Sequence, residues 1–210
     1  FNWELVFCEL YAGGKYANDE GENYEYSLGL NGLGSCATQY ASEIFDAVVY
    51  RDGQKYTLHF EKGENIGGLK KEPVDRKKTG SLFRWRPDLA VFTDISVQRE
   101  YFTETLRRQA VVNKGILFRF RWQKDDGKFE TEEFKYENGI LDYVSEIAGE
   151  ETISLPIYIE TERRGRDRED KPEYKVKLTA ALCFSNKVNS IEYYHNSSWL
   201  EYGGAPDKAT

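Results

Sequence analysis

Gly29-Leu30-Asn31-Gly32-Leu33-Gly34 is a glycine-rich stretch that runs directly into a segment with the periodicity of an amphipathic helix. The apolar face of that segment repeats at i, i+3, i+4, i+7 and i+8: Ala37, Tyr40, Ala41, Ile44 and Phe45. Glycines let the backbone approach phosphate oxygens, and the free N–H groups at a helix start attract an anion. A second stretch, Ala12-Gly13-Gly14-Lys15-Tyr16, lies a short way upstream. Together the two stretches predict half of a nucleotide site.

The composition limits the possible classes of protein. The 210 residues suffice for one large domain or two small ones. A net charge of −7 argues against a surface that mainly grips nucleic acid, so we expect any DNA contact to be local or to lie outside this chain.

The cysteines and histidines predict neither a zinc cluster nor a disulfide framework. Their positions are far apart in the sequence: Cys8, Cys36, Cys183, His59 and His195. We therefore expect a reducing, cytoplasmic setting. No apolar run approaches the roughly 20 residues of a membrane-spanning helix, so no membrane partner is expected.

Periodicity predicts several elements in the first part of the chain. A helix ends near residue 13, and an acidic segment over 17–26 is interpreted as a mobile flap. Further along we expect a hairpin over 47–61, a charged loop over 62–78 and a strand over 80–85 that ends before Pro87. The Asp52-Gly53 dipeptide is the strongest signal for the hairpin.

The second part of the chain changes in character near residue 149. Before it we predict a helix over 97–112 with Ser96 as N-cap, a hairpin over 116–136 and a short helix over 140–147. After it, apolar residues alternate strictly over 153–159 and 174–184, which predicts strands of a sheet with one face covered. The mixed charges over 162–170 indicate a solvated hairpin tip rather than a DNA-contacting finger, and Pro206 suits the first position, N1, of a further helix.

Several motifs occur in one order along nearly the whole chain. They are the two glycine stretches over 11–16 and 28–34, Lys78-Thr79-Gly80-Ser81 with Phe83-Arg84-Trp85-Arg86-Pro87 after it, residues 106–115, the turn Asp125-Asp126-Gly127-Lys128, and Tyr136-Glu137-Asn138-Gly139-Ile140. In this order they resemble the ATPase subunit of bacterial type II topoisomerases, that is, DNA gyrase B and its topoisomerase IV counterpart.

That resemblance implies an α+β chain with two domains. Residues 1–146 would form the later part of a GHKL-type ATPase sandwich with its ATP lid, and residues 147–210 the first part of an S5-like β-α-β transducer domain. In that family ATP clamps two subunits together and drives the passage of one DNA duplex through another. The implied cofactors are ATP and Mg²⁺. The implied partners are a second copy of the subunit, the DNA-cleaving topoisomerase subunit, and DNA through the parent complex.

The resemblance also assigns roles to residues of this chain. Gly29, Leu30, Asn31, Gly32, Leu33 and Gly34 would offer backbone N–H groups to the phosphates, and Lys15 would pair with the phosphate charge. Tyr24 matches a lid tyrosine near the nucleotide. Thr79, Gly80 and Ser81 match a segment that holds adenine through a hydroxyl and ordered water, and Arg51 matches an arginine at the mouth of the adenine pocket.

The chain departs from the family pattern at some positions. Asn31 stands where the glycine motif usually has histidine, and Ser81 stands where a threonine is usual. Residues 194–200 replace a glycine-rich segment. The resemblance therefore leaves open gyrase, topoisomerase IV or a divergent relative.

The family's general-base glutamate, magnesium-binding asparagine and adenine-binding aspartate would precede Phe1. The transducer lysine that reaches the γ-phosphate would follow Thr210. We therefore expect no catalytic residue and no magnesium ligand within this chain, and no ATP hydrolysis by the chain alone.

The residues by themselves also allow plainer interpretations. Lys15 could be a solvated lysine, Tyr24 a packing residue and Arg51 a hairpin-turn charge, while Thr79 and Ser81 could simply begin a strand. For function, the alternatives are another GHKL ATPase, of the mismatch-repair or chaperone type, or a non-catalytic β-rich interaction module. Clustered carboxylates at Glu130, Glu132 and Glu133 indicate the wet face of a hairpin rather than an acid/base pair.

Overall fold

The computed structural model describes residues 2–12, 32–150, 152–166, 168–170 and 173–209. The expected flap over 17–26 and the site candidates Lys15, Tyr24 and Gly29-Leu30-Asn31 lie outside these residues. Contacts divide the described chain into two units, with residues 2–12 and 32–97 in unit 1 and the residues from 98 onward in unit 2. The predicted domain boundary at 146/147 lies inside unit 2 and stays a prediction. No helix of the described ranges is long and apolar enough to span a membrane.

Unit 1 is an antiparallel sheet with two short helices. The helices are α1 (Asn2–Phe7) and α2 (Gly34–Tyr40). The strands are β1 (Ser42–Arg51), β2 (Gln54–Glu61), β3 (Glu64–Asn65), β4 (Lys70–Pro73) and β5 (Gly80–Pro87). They lie in the order β3-β2-β1-β5, with β4 also paired to β2. The predicted hairpin and the predicted strand from Gly80 are confirmed, but that strand does not end before Pro87, because Pro87 is its last residue and pairs with Ser42.

A two-residue turn sets the register of the β1–β2 hairpin. Arg51 pairs with Gln54, which leaves Asp52 and Gly53 as the loop. Both have positive φ, 53° and 74°, as a type I′ turn requires. Asp and Gly reach this region at low cost, and its twist matches that of the flanking strands. The turn therefore determines which residues of β1 and β2 face each side of the sheet.

The helix-bearing face of the sheet carries the core of unit 1. Phe45 pairs with Phe60 across the hairpin and both are buried. The ring of Phe7 from α1 lies 5.5 Å from that of Phe45 and 6.1 Å from that of Phe60. Phe83 of β5 joins the cluster, with its ring 6.3 Å from that of Phe45. Aromatic burial of this kind fixes α1 against one face of the sheet.

Three predictions in unit 1 are wrong in detail. The helix after the glycine stretch ends at Tyr40, and Ile44 and Phe45 belong to β1. Their β-branched and aromatic side chains gain cross-strand pairing on both edges of β1, which outweighs the helical spacing. The first helix ends at Phe7 rather than near residue 13, and the supposed loop over 62–78 contains β3 and β4. Charged residues suit β4 because it lies at an edge of the sheet.

The described residues of unit 2 form three helices and three two-stranded ribbons. The helices are α3 (Arg99–Val112), α4 (Ile140–Ala148) and α5 (Gly204–Ala209). The strands are β6 (Phe118–Gln123), β7 (Phe129–Phe134), β8 (Ile157–Gly165), β9 (Tyr174–Leu182), β10 (Tyr194–His195) and β11 (Ser198–Trp199). Its core packs Ala110 and Val111 of α3 against Phe134 and Tyr136.

The predicted helix, hairpin and helix of unit 2 are confirmed, but Ser96 is not the N-cap. The helix α3 begins at Arg99, and Gln98 precedes it in an extended conformation without a side-chain cap. The backbone N–H of Ser96 instead donates to Asp94 Oδ1 at 2.8 Å. Residues 94–96 therefore form a turn of their own before the helix starts. The last helix begins at Gly204, so Pro206 lies in its first turn rather than at its first position.

The alternating strands form the β8–β9 ribbon, which starts at Ile157 rather than at residue 153. Alternation does place apolar side chains on one face, as predicted. Within the described residues that face is not covered, because Ile157, Ile159, Val176 and Leu178 remain between 42% and 51% exposed. The expectation of a covered face is therefore wrong for this part of the chain. The charged segment over 162–170 is strand as far as Gly165, and its last two residues, 169–170, form a turn.

The turn at Gly53 depends on a residue without a side chain. A Cβ at Gly53 would adopt a left-handed conformation and would lie 2.9 Å from Arg76 Cγ. We expect Gly53→Ala to lower the free energy of unfolding by about 1–2 kcal/mol in urea titrations.

Gly165→Ala is the matched control, because a Cβ there meets nothing within 4 Å among the described residues and no positive φ is required. It should change the free energy of unfolding by less than about 0.5 kcal/mol. Equal effects of the two substitutions would contradict the role of the turn.

Candidate nucleotide site

The glycine stretch enters the structure at Gly32, which has a φ of 59°. Leu33 follows, and Gly34 is the first residue of α2. The backbone carbonyl of Leu33 accepts a hydrogen bond from the N–H of Ala37 at 2.8 Å, but the side chain of Leu33 does not cap the helix. The first N–H groups of a helix have no intrahelical partner, so those of α2 can bind an acceptor from outside the helix.

Gly34 is not required by packing. A Cβ built at this position meets no heavy atom within 4 Å among the described residues. Its φ is not in the left-handed region either, so conformation does not demand glycine. The space beside the start of α2 is therefore open, and a Cβ at Gly34 would fill part of it. An anion that approaches the backbone closely fits that space.

The register of β1 and β5 places the adenine-side candidates together. Tyr50 pairs with Gly80 and Val49 with Ser81, so Thr79 is next to Arg51 at the same end of the strand pair. Ser81 lies on the face that carries Phe83 and the α1 core, because side chains two residues apart share a face. Gly80 has a φ of 127°, which an L side chain rarely adopts.

Arg51 lies at the surface beside these residues. Its side chain is 79% exposed, and its Nε donates to Asp52 Oδ2 at 3.2 Å. An ion pair this exposed contributes little to stability. The guanidinium is therefore available to a ligand at the end of β1.

The predicted site residues within the described chain thus form two groups in unit 1. Arg51, Thr79, Gly80 and Ser81 are brought together at one end of the β1–β5 pair. Gly32, Leu33 and Gly34 form the start of α2. The remaining candidates, Lys15, Tyr24 and Gly29-Leu30-Asn31, lie outside the described residues.

Sequence reasoning missed Gln39, on the buried face of α2. The side chain of Gln39 is fully buried, and neither amide atom has a hydrogen-bond partner in the described structure. Cys36, one turn earlier, is also fully buried. The predicted apolar face of this helix was displaced from the true one, since the segment beyond Tyr40 is strand. The available signal for this burial was the position of Gln39, three residues after the small apolar Cys36.

A second missed contact lies next to Thr79. Lys78 Nζ lies 4.0 Å from the ring centroid of Tyr50, the cross-strand partner of Gly80. This cation–π contact stabilises the end of β1 against the start of β5. A lysine beside the Thr-Gly-Ser segment was visible in the sequence, but its aromatic partner depends on the register.

The carboxylates of β7 form ion pairs: Glu133 is exposed, as predicted, whereas Glu130 and Glu132 lie on the half-buried face of the strand. Arg99 Nη1 lies 2.7 Å from Glu130 Oε2 and Arg99 Nη2 lies 3.2 Å from Glu132 Oε2. Arg119 Nε lies 2.6 Å from Glu133 Oε1. Each carboxylate is engaged by a guanidinium on a neighbouring element, which does not suit an acid/base pair. Among the described residues no group of His, Cys, Asp and Glu could hold a metal ion.

The opposite face of the unit 1 sheet carries a charged cluster around Asp46. His59 Nδ1 lies 2.6 Å from Asp46 Oδ1, and Arg84 Nε donates to Asp46 Oδ2 at 2.8 Å. His59 Nε2 lies 3.2 Å from Glu61 Oε1. The hydrogen bond to Asp46, and then that to Glu61, raise the pKa of His59. Burial alone would raise the pKa of Asp46, but the His59 and Arg84 hydrogen bonds and charges lower it.

The comparisons with known proteins agree with the motifs. No protein-family profile matches the chain. The chain is 34% identical to DNA gyrase B of Chlamydia muridarum over 205 residues, which is 96% of the chain and 24% of that protein. It is 30% identical to DNA gyrase B of Halalkalibacterium halodurans over 205 residues, which is 95% of the chain and 31% of that protein. The chain thus spans about a quarter to a third of the length of these curated relatives.

Two solved structures have a similar fold. One is the 43K ATPase domain of Thermus thermophilus gyrase B in complex with an aminocoumarin, with a TM-score of 0.54 and 26% identity over 66% of this chain and 37% of that one. The other is the topoisomerase IV ATP-binding domain of Francisella tularensis in complex with a small-molecule inhibitor. Its TM-score is 0.51, with 23% identity over 66% of this chain and 36% of that one.

The chain therefore has an α+β fold, related to that of GHKL-type ATPase domains. The resemblance inferred from its motifs is confirmed. Nearly the whole chain matches one segment of DNA gyrase B, within the ATPase-subunit family of bacterial type II DNA topoisomerases.

The His59 cluster makes the stability of unit 1 depend on pH. Protonated His59 stabilises the fold, so its contribution is complete below its ordinary pKa of 6.5 and is lost as pH rises through the raised value. The free energy of unfolding should fall between about pH 6 and pH 8, and His59→Gln should remove that slope.

Urea titrations at a series of pH values measure this slope. His195→Gln, at an exposed position of β10, is the control and should keep the slope of the unmodified chain. An unchanged slope in His59→Gln would show that another group is responsible.

Proposed function

We propose that this chain is the part of an ATP-dependent type II DNA topoisomerase subunit that carries the ATP lid and the adenine-side edge of the nucleotide site. The observation that carries this proposal is the placement of Arg51, Thr79, Gly80 and Ser81 at one end of the β1–β5 pair. These are the residues to which the resemblance assigns the adenine side.

On the phosphate side, the backbone N–H groups of Gly29-Leu30-Asn31-Gly32-Leu33-Gly34 bind the triphosphate. The uncapped start of α2 and the open space at Gly34 support this role. Lys15 adds a compact positive charge for the phosphates. Tyr24 takes the role of the lid tyrosine near the nucleotide that the resemblance assigns to it. Asn31 keeps its backbone donor, so the departure from histidine leaves this binding in place.

On the adenine side, the Thr79 and Ser81 hydroxyls hold the base, directly and through ordered water. Ser81 lies on the helix-bearing face of the sheet, where a ligand between sheet and helices would contact it. The positive φ of Gly80 turns the backbone at this point. The exposed guanidinium of Arg51 lies at the mouth of the pocket.

The chain's own part in the reaction is to bind and orient the nucleotide and to exclude water. Hydrolysis needs a general base to activate water and neutralisation of the γ-phosphate charge. When bound, Mg²⁺ supplies part of that neutralisation. The base and the magnesium ligands come from parts of the parent subunit outside these residues, so the chain alone does not hydrolyse ATP.

In the parent protein, ATP binding joins two copies of the subunit and drives strand passage together with the DNA-cleaving subunit. The net charge of −7 fits a segment that binds nucleotide rather than one that wraps DNA. The cytoplasmic location predicted from the cysteine pattern remains part of this proposal.

Gly34→Ala tests the phosphate role in the parent protein. Alanine favours the helix by up to about 1 kcal/mol, so the fold should be as stable as before or slightly more stable. The new Cβ occupies the space needed for phosphate approach. Affinity for a non-hydrolysable ATP analogue with Mg²⁺ should fall at least tenfold, about 1.4 kcal/mol, by isothermal titration calorimetry.

Gly165→Ala is again the matched control and should bind the analogue as the unmodified protein does. Lys15→Ala and Gly32→Val should also weaken binding. Unchanged affinity in all three lid variants would favour a β-rich interaction module whose glycine stretch is only a turn.

A further inference from the structure

The segment that follows β9 is held by one carboxylate. Tyr143 of α4 donates from its hydroxyl to Glu192 Oε1 at 2.8 Å. Tyr194 of β10 donates to the other oxygen, Oε2, at 2.6 Å. Glu192 and both tyrosines are half-buried. A carboxylate in such a place is stable only where donors replace the water it has lost.

The helix α3 holds the same segment from a second direction. The Arg108 guanidinium lies 3.7 Å from the ring centroid of Trp199. Gln109 Nε2 donates to the backbone carbonyl of Ser197 at 2.7 Å. These contacts join consecutive residues of α3 to the β10–β11 hairpin over 194–199.

The hairpin cannot hold its position by itself. Its strands have two residues each, and Tyr194 pairs with Trp199. An isolated hairpin of this size is not stable in water. Its placement in the fold therefore depends on the contacts with α3 and α4.

Both tyrosines remain hydrogen-bond donors at physiological pH. Burial, and then the Glu192 hydrogen bond and charge, raise the pKa of Tyr143 and of Tyr194 above the ordinary phenol value. Arg108 acts in the opposite direction on Tyr194 with a smaller effect. Since the phenols do not ionise at physiological pH, their hydrogen bonds to Glu192 have a structural role and do not act as a pH switch.

These contacts link parts of the chain that lie on opposite sides of the predicted domain boundary. The helix α3 and Tyr143 of α4 belong to the proposed ATPase part, and residues 192–199 to the proposed transducer part. We infer that Glu192 is a positioning residue that couples the two parts, so that residues 98–148 and 157–209 unfold as one cooperative unit. The domain names rest on the proposed function, but the cooperativity is a property of this chain and needs no nucleotide.

The coupling has a consequence for how movement passes along the parent protein. A displacement of α3 or α4 carries the 192–199 segment with it as long as Glu192 keeps both donors. The proposed transducer strands β8 and β9 are connected to that segment through the chain and through packing of α4 on β9. Beside that packing, Glu192 therefore contributes to the geometry in which the transducer part follows the ATPase part.

Two tryptophans report on the two sides separately. Trp122 lies on β6, before the predicted boundary, and Trp199 lies on β11, after it. Incorporation of 5-fluorotryptophan into the 210-residue chain lets ¹⁹F NMR follow both in one urea titration. The unmodified chain should show one common midpoint for Trp122 and Trp199.

Glu192→Gln keeps the shape of the side chain but weakens the hydrogen bonds that it accepts from the two phenol groups. The Trp199 midpoint should then fall roughly 0.5–1 M urea below that of Trp122. Tyr143→Phe removes only the donor on α4 and should separate the midpoints in the same direction by a smaller amount. It also serves as the test if Glu192→Gln does not fold.

Glu160→Gln is the matched control. Its carboxylate pairs with Lys177 Nζ at 2.6 Å on the exposed β8–β9 ribbon, so the chemical change is the same without the join to α4. In this variant the two midpoints should coincide. Separate midpoints in the unmodified chain would overturn the inference. So would a common midpoint in both Glu192→Gln and Tyr143→Phe, whether or not overall stability falls.

Discussion

The pairing of β1 with a strand on each edge is the constraint on which unit 1 depends. β1 follows α2 directly and runs to a turn whose two residues both have positive φ. Hydrogen bonding to β2 on one side and β5 on the other leaves it a single register. Because side chains alternate along a strand, that register sends Phe45 towards α1 and Asp46 to the opposite face. It also brings the Thr-Gly-Ser segment to the Arg51 end of β1.

The two faces of this sheet have different physical roles. The α1 face gains its stability from aromatic burial around Phe7, Phe45 and Phe60. The other face is held by charges around Asp46, with His59 and Arg84 as partners. This division leaves Ser81 on the helix-bearing side, which is where the proposed nucleotide site lies. Chemical groups for hydrolysis are not needed there, because the proposed role is to bind and orient.

Local signals predicted much of this fold. Asp52-Gly53 between alternating apolar residues was enough for the first hairpin, because few residues accept two positive φ values in succession. The helix α3 and the β6–β7 hairpin were predicted from clear changes in the spacing of apolar residues along the sequence. The glycine stretch predicted the phosphate-side candidates, whereas the adenine-side candidates came from the family resemblance, and the register of β1 and β5 places them at one end of that strand pair.

Other features depend on tertiary contacts and were not predictable. Helical spacing at Ile44 and Phe45 gave no sign that two neighbouring strands would pair with that segment. Period-two alternation in β8 and β9 identified an apolar face but not whether anything covers it. Glu192 carried no signal at all, since its donors come from residues 49 positions earlier and two positions later. Gln39 was missed because the predicted apolar face of the helix did not include the buried positions of α2.

The most direct test of the proposed site is hydrogen–deuterium exchange of the parent protein with and without a non-hydrolysable ATP analogue and Mg²⁺. If one nucleotide meets both the start of α2 and the Arg51 end of β1, peptides over residues 29–37 and 78–83 should both gain protection at the same analogue concentration. Peptides over the β8–β9 ribbon should change far less. Protection confined to the ribbon, or absent from both site peptides at saturating analogue, would contradict the site.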